Sequence, residues 1–130
     1  MNKEVLNYIA EKTRELIVAP TCSNETKEAA QAWLNAIGTE SEMAETKKYI
    51  AELEEDIMPI DNLIRFAGSD NGKAYFGEEN AKNIESHAKE IKANGAKYCD
   101  CPACLVVAQI LEKKSELFNE NNRFMKILFL

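Results

Sequence analysis

The chain of 130 residues carries a formal net charge of −6 and a pI near 4.9, and 45% of it is hydrophobic. That length buries a proper core without disulfide staples, and the acidic balance repels phosphate backbones, so nucleic acid is not an expected partner. Five glycines and three prolines argue for long regular segments, and no apolar stretch approaches the roughly 20 residues of a membrane span.

The opening Met1-Asn2-Lys3-Glu4 runs straight into an amphipathic pattern, so no signal peptide is expected and the cytosol is the default compartment. Val5, Leu6, Ile9, Thr13, Leu16 and Ile17 recur at helical spacing and predict a first helix over 3–18. Pro20 ends it, and Ala19-Pro20-Thr21-Cys22 forms a loop. Ser23 caps a second helix with Ala29, Ala30, Trp33 and Ile37 on one side, stopped by Gly38. Trp33 is expected as a core anchor.

Thr39-Glu40-Ser41-Glu42 reads as a capping box, which starts a third helix at Glu40. Its apolar line is Met43, Ile50, Leu53 and Ile57, with Tyr49 beside it; the other face holds Glu45, Glu52, Glu54, Glu55 and Asp56. A di-iron bundle would need Glu-x-x-His on two helices, and the chain has one histidine, so this face is expected to be solvated. Pro59 restarts a short helix through Ile60, Leu63, Ile64 and Phe66, ended by Gly68. The segment Gly68-Ser69-Asp70-Asn71-Gly72-Lys73-Ala74 is one residue short of a phosphate loop and lacks the following Ser/Thr. It reads as a turn, with a helical turn taking Tyr75 and Phe76 into the core. A further helix over about 78–93 presents Ala81, Ile84, Ala88 and Ile91.

The stretch that asks for a chemical explanation is Tyr98-Cys99-Asp100-Cys101-Pro102-Ala103-Cys104. Three of four cysteines fall within six residues, ahead of a helix predicted from Pro102 to about Phe118. Proline fits the first helical position, which makes Cys101 or Asp100 the cap and turns orphan N–H groups and the positive helix end toward the sulfurs. Such a field favours the thiolate, the form that binds metal or attacks a disulfide. Leu105, Ala108 and Leu111 are expected inside, with Val107 and Phe118, and Cys104 belongs to the stripe of Ala108 and Leu111.

Three ligands leave a tetrahedral zinc ion one short. Cys22, in a loop at a helix end, is the preferred fourth; His87 sits roughly 10 Å from the end of its helix and is expected as a partly buried histidine beside a core stripe. The ligand set is therefore Cys22, Cys99, Cys101 and Cys104, with zinc the first cofactor and an iron–sulfur cluster the second. A thiol–disulfide oxidoreductase using Cys101-Pro102-Ala103-Cys104 is the competing enzyme reading, although no strand precedes the motif. An interaction module stapled by a structural metal is the third.

The expected fold is all-α, an antiparallel bundle of five or six helices with the cysteine cluster at one end. Residues 1–118 form the domain. The apolar tail 119–130 folds back, pairs with a second copy or a partner protein, or is loosely ordered. Residues Pro20-Thr21-Cys22, Glu28 to Leu34, Asp56 to Asp61 and above all Tyr98 to Cys104 give residues 1 to about 115 a resemblance to a group of small bacterial helical proteins, some labelled as heat-shock chaperones. The resemblance implies a stress-response name rather than a mechanism, and no catalytic residues carry over from it.

Overall fold

The computed structural model describes residues 3–118; the expectations for the 119–130 tail lie outside the described residues. Eight helices follow in order: α1 (Lys3–Val18), α2 (Asn24–Ala36), α3 (Glu42–Asp56), α4 (Ile60–Ala67), α5 (Asp70–Phe76), α6 (Glu78–Ala93), α7 (Pro102–Glu112) and α8 (Lys114–Phe118). The all-α expectation holds among the described residues, where β pairing is limited to an isolated bridge between Pro59 and Tyr98. The two helices beyond the expected six are α5 and α8. Among the described residues no helix is long and apolar enough to cross a membrane. Among the described residues the helices form two compact units, one from residues 3–56 and 101–118, the other from 57–100.

In the first unit α2 packs on α3, and α1 packs on both α2 and α7. Ile9, Leu16, Trp33, Tyr49, Leu53, Ile110 and Leu117 fill its centre. Trp33 is the expected anchor: 1% exposed, it stacks on Tyr49 at 5.2 Å and donates from Nε1 to Thr46 Oγ1 at 2.8 Å. The Thr46 hydroxyl in turn donates to the Glu42 carbonyl at 2.6 Å, so both buried polar groups are satisfied. Helix α3 begins two residues later than the capping box predicts. Thr39 Oγ1 donates to the Ala36 carbonyl, closing the end of α2, while Glu42 accepts from the Gly38 N–H instead of from Thr39. Gly38, at φ +83°, turns the chain between the two helices.

The Thr13 and Tyr49 hydroxyls meet at 2.8 Å inside this core. Burial holds the Tyr49 phenol well above the ordinary tyrosine range, against the opposing hydrogen bond from Thr13. The unfolded chain releases that proton near pH 10 and the folded one retains it. The Tyr49 contribution to stability is therefore full below about pH 10 and falls above it by up to about 1.4 kcal/mol per pH unit. Denaturant unfolding from about pH 9 to 11 checks this: Tyr49→Phe flattens the alkaline fall relative to wild type, at the cost of the Thr13 partner.

In the second unit α4 and α5 pack on α6. Ile60, Leu63 and Ala88 form its core, flanked by Ile64, Ile84, Ile91 and Cys99. The expected turn at 68–74 is mostly helical. Ser69 caps α5, its hydroxyl accepting from the Gly72 N–H at 3.1 Å. Gly72 is the buried position: a Cβ there would lie 1.8 Å from the Phe66 carbonyl oxygen, so a backbone-to-backbone approach takes the place of ring packing. Tyr75 accordingly stays 77% exposed, edge-on to Phe66 and Phe76, and does not enter the core.

Helix α6 matches its expected limits. It closes with Gly95 at φ +99°, the Gly95 N–H bonded to the Lys92 carbonyl and the Ala96 N–H to the Ile91 carbonyl, the double bond pattern of a Schellman end. The chain then runs back: the Cys99 N–H bonds to the Met58 carbonyl and the Ile60 N–H to the Lys97 carbonyl, both at 2.9 Å.

The single helix expected over 102–118 divides at Lys113, whose N–H bonds to the Ile110 carbonyl at 3.0 Å, a local tightening of the ladder. Its buried stripe is Ala103, Val107 and Ile110, whereas Leu105 is 53% exposed. The run from Ala103 to Leu111 is apolar almost all round, so periodicity carries little information about which side turns inward.

Candidate metal centre

The helix start at Pro102 accounts for its own N–H groups one by one. Pro102 has none to satisfy. The Ala103 N–H donates to Thr21 Oγ1 at 3.0 Å, and the Cys104 N–H donates to Cys101 Sγ at 3.4 Å. The Leu105 N–H bonds to the Cys101 carbonyl at 2.9 Å, the first turn of the ladder. Cys101, at φ −62° and ψ 159°, is thus the cap, with sulfur where serine or aspartate usually places oxygen. An N–H aimed at that sulfur and the positive end of α7 both favour a thiolate.

Cys99, Cys101 and Cys104 lie with their Sγ atoms all within 4.8 Å of one another, each half-buried. A tetrahedral zinc ion with Zn–S bonds of about 2.3 Å holds its sulfurs about 3.8 Å apart. The three therefore need to close by at most about 1 Å. Each is set by a different local device: backbone pairing to Met58 for Cys99, the cap for Cys101 and the first helical turn for Cys104. Cys104 flanks the buried stripe of α7 and does not belong to it.

Cys22 is not a member of that three-sulfur group. It is 8% exposed, and its thiol donates to the Ser23 carbonyl at 3.6 Å. Burial pushes the Cys22 thiol up from its ordinary range; Lys27 pulls it down, while Asp56 and Cys101 push it further up. Thr21, the chain neighbour of Cys22, docks on Ala103 in the first turn of α7. As a neutral thiol, Cys22 must lose a proton before it can ligate.

His87 differs from its expected setting. Its side chain is 54% exposed, and Nε2 lies 2.7 Å from Asp100 Oδ2. Cysteines lying beyond the end of α6 would leave His87 too deep in its helix to approach them. After Gly95, however, the chain returns in an extended form that rises about twice as far per residue as a helix. A few residues thus retrace two helical turns and put Asp100 beside His87 and Cys99 against Ala88. Periodicity alone offers no sign of this pair; a glycine followed by an extended run is the signal that could have found it.

Glu25, Glu52 and Asp56 also gather, with one oxygen of each within 4.8 Å of the others. Thr26 donates to Asp56 at 2.6 Å, and the hydrogen bond that a protonated Glu52 carboxyl gives to Asp56, followed by the charge of Asp56, raises the Glu52 carboxyl above its ordinary range. The N-terminal turn of α2, whose dipole favours negative charge, accounts for this grouping. A separate open groove of about 610 Å³ over α1 is lined in part by Tyr8, Glu11, Arg14 and Ile37, residues without a shared chemical task. The three-cysteine cluster is the arrangement that points to chemistry. The chain matches no protein-family model, no curated protein and no solved structure.

Proposed function

We propose that this protein binds a soft or borderline metal ion, zinc first, through Cys99, Cys101 and Cys104, with Cys22 completing a four-thiolate set. The observation that carries this reading is the convergence of three sulfurs within 4.8 Å at a helix start. Convergence at that density is costly for thiolates alone, because like charges repel, and a divalent cation offsets it. Cys22 supports the fourth position because Thr21 already ties its loop to the first turn of α7. An iron–sulfur cluster is the alternative occupant, since Cys₄ sets hold both.

Metal analysis of protein purified without chelator, together with its visible spectrum, tests this directly. The expected result is close to one zinc per chain and a colourless solution; a brown solution identifies a cluster, and metal-poor protein removes the proposal. The competing reading, a dithiol pair at Cys101 and Cys104, rests on the same cap geometry and makes the opposite prediction for reactivity. A catalytic thiolate must stay open to attack. In metal-replete protein, iodoacetamide should leave all four cysteines slow to react until a chelator is added. Rapid labelling of Cys101 before chelation, with turnover of a disulfide substrate, would transfer the assignment to oxidoreductase.

A further inference from the structure

Asp100 occupies an unusual place for a carboxylate. It lies between two of the proposed ligands in sequence, Cys99 and Cys101, yet its oxygens are outside the three-sulfur group. An aspartate so placed is a ready oxygen donor for any ion the sulfurs collect. What turns it elsewhere is His87, whose Nε2 meets Asp100 Oδ2 at 2.7 Å. The histidine is fixed on α6, on the turn beside Ala88, which is itself fully buried. Cys99 packs against that same Ala88 cluster, so the helix face that seats Cys99 also anchors the carboxylate of the next residue.

We infer that His87 is a positioning residue for the metal centre: by holding Asp100 against α6 it keeps the carboxylate out of the coordination sphere and leaves an all-sulfur donor set. This rests on the metal-binding reading above. The consequence is selectivity. Thiolates favour zinc and other soft or borderline ions, while an intruding carboxylate shifts a site toward harder ions. Partners that orient the residues around a metal are worth 10–100-fold in affinity; for a pair as exposed as this one the lower figure is expected.

The test uses Co²⁺ as the probe, because its visible bands report the donor set, and zinc competition for affinity. Wild type should give the intense, red-shifted bands of a tetrahedral thiolate site. His87→Ala should shift those bands to the blue, as sulfur is replaced by oxygen, and weaken zinc binding about tenfold. His87→Gln, which keeps a donor toward Asp100, should restore most of the wild-type spectrum. The double variant His87→Ala/Asp100→Ala should return to the all-sulfur spectrum, since the intruding group is gone. Both side chains are about half exposed, so these variants should fold, as far-UV circular dichroism would register. An unshifted His87→Ala spectrum overturns the proposal while leaving the metal reading in place. A shift that persists in the double variant also overturns it, and would make His87 itself a ligand. A wild type that binds no Co²⁺ removes both readings.

Discussion

If the proposed ion is bound, stripping it is expected to lower the thermal midpoint by roughly 10 to 25 °C while the helices persist. An ion that binds only the folded state stabilises by RT ln(1 + [L]/Kd), about 4 kcal/mol at a thousandfold excess over Kd. For a domain of this size each kcal/mol moves the midpoint by roughly 3 to 6 °C. The proposed ligands join points distant in sequence; the hydrogen bond that already links their neighbours, Thr21 to Ala103, spans 82 positions. Helix survives because the buried side chains of the first unit, Ile9, Leu16, Trp33 and Leu53 among them, do not depend on the ion. Calorimetry with and without chelator measures the shift. A change of a degree or two would mean that the ion is held without bracing the fold, as an open transfer or sensing site would hold it.

On the proposed four-thiolate set, Cys22→Ser is expected to weaken zinc binding as severely as Cys101→Ser, each by more than the 10–100-fold attached to outer-shell changes. Removing a direct ligand costs a bond, and a serine hydroxyl is a poor replacement for a thiolate at zinc. The two substitutions differ in what else they disturb. Serine at 101 still caps α7, since its oxygen accepts the Cys104 N–H at least as well as sulfur. Serine at 22 places a hydroxyl in a buried position beside the Ser23 carbonyl, where the thiol already donates. Competition with a chromophoric chelator gives the affinities. Unchanged affinity in Cys22→Ser would confine the site to the three clustered sulfurs and leave water or His87 as the fourth donor.

Much of the architecture was legible because local rules and tertiary packing agree. Helices α1 and α6 carry one apolar stripe each and have unambiguous stops, so their limits follow from Pro20 and from Asn94-Gly95. Ser23 and Pro102 mark helix starts by capping chemistry alone. The failures have equally specific causes. Helix α5 was hidden because Gly72 looks like a breaker until the chain beside it is known: only a residue without a Cβ fits 1.8 Å from the Phe66 carbonyl. Leu105 was misplaced because α7 has no polar face to orient it.

The site was legible in part. Three cysteines at that spacing announce themselves, and the structure brings their sulfurs together. The Thr21 cap on Ala103 and the His87–Asp100 pair were not visible, since each joins residues from different elements through a polar contact that leaves no periodic trace. Cys22 keeps its place in the proposal through Thr21 rather than through any sulfur contact of its own.

The first unit is discontinuous: α7 and α8 complete a core begun by α1, α2 and α3, with residues 57–100 in between. During synthesis at about 5–20 residues per second, the three leading helices emerge seconds before the segment that covers the α7 side of α1. The nascent chain therefore carries apolar side chains such as Ile9 and Leu16 without their final neighbours. The intervening segment is contiguous and rich in short-range contacts, so it can organise first and shorten the effective loop that must close, which lowers the entropy of bringing α7 back to α1. Two of the four proposed ligands, Cys101 and Cys104, arrive with that closing segment, so the full donor set proposed above is complete only late in the life of the newly made chain.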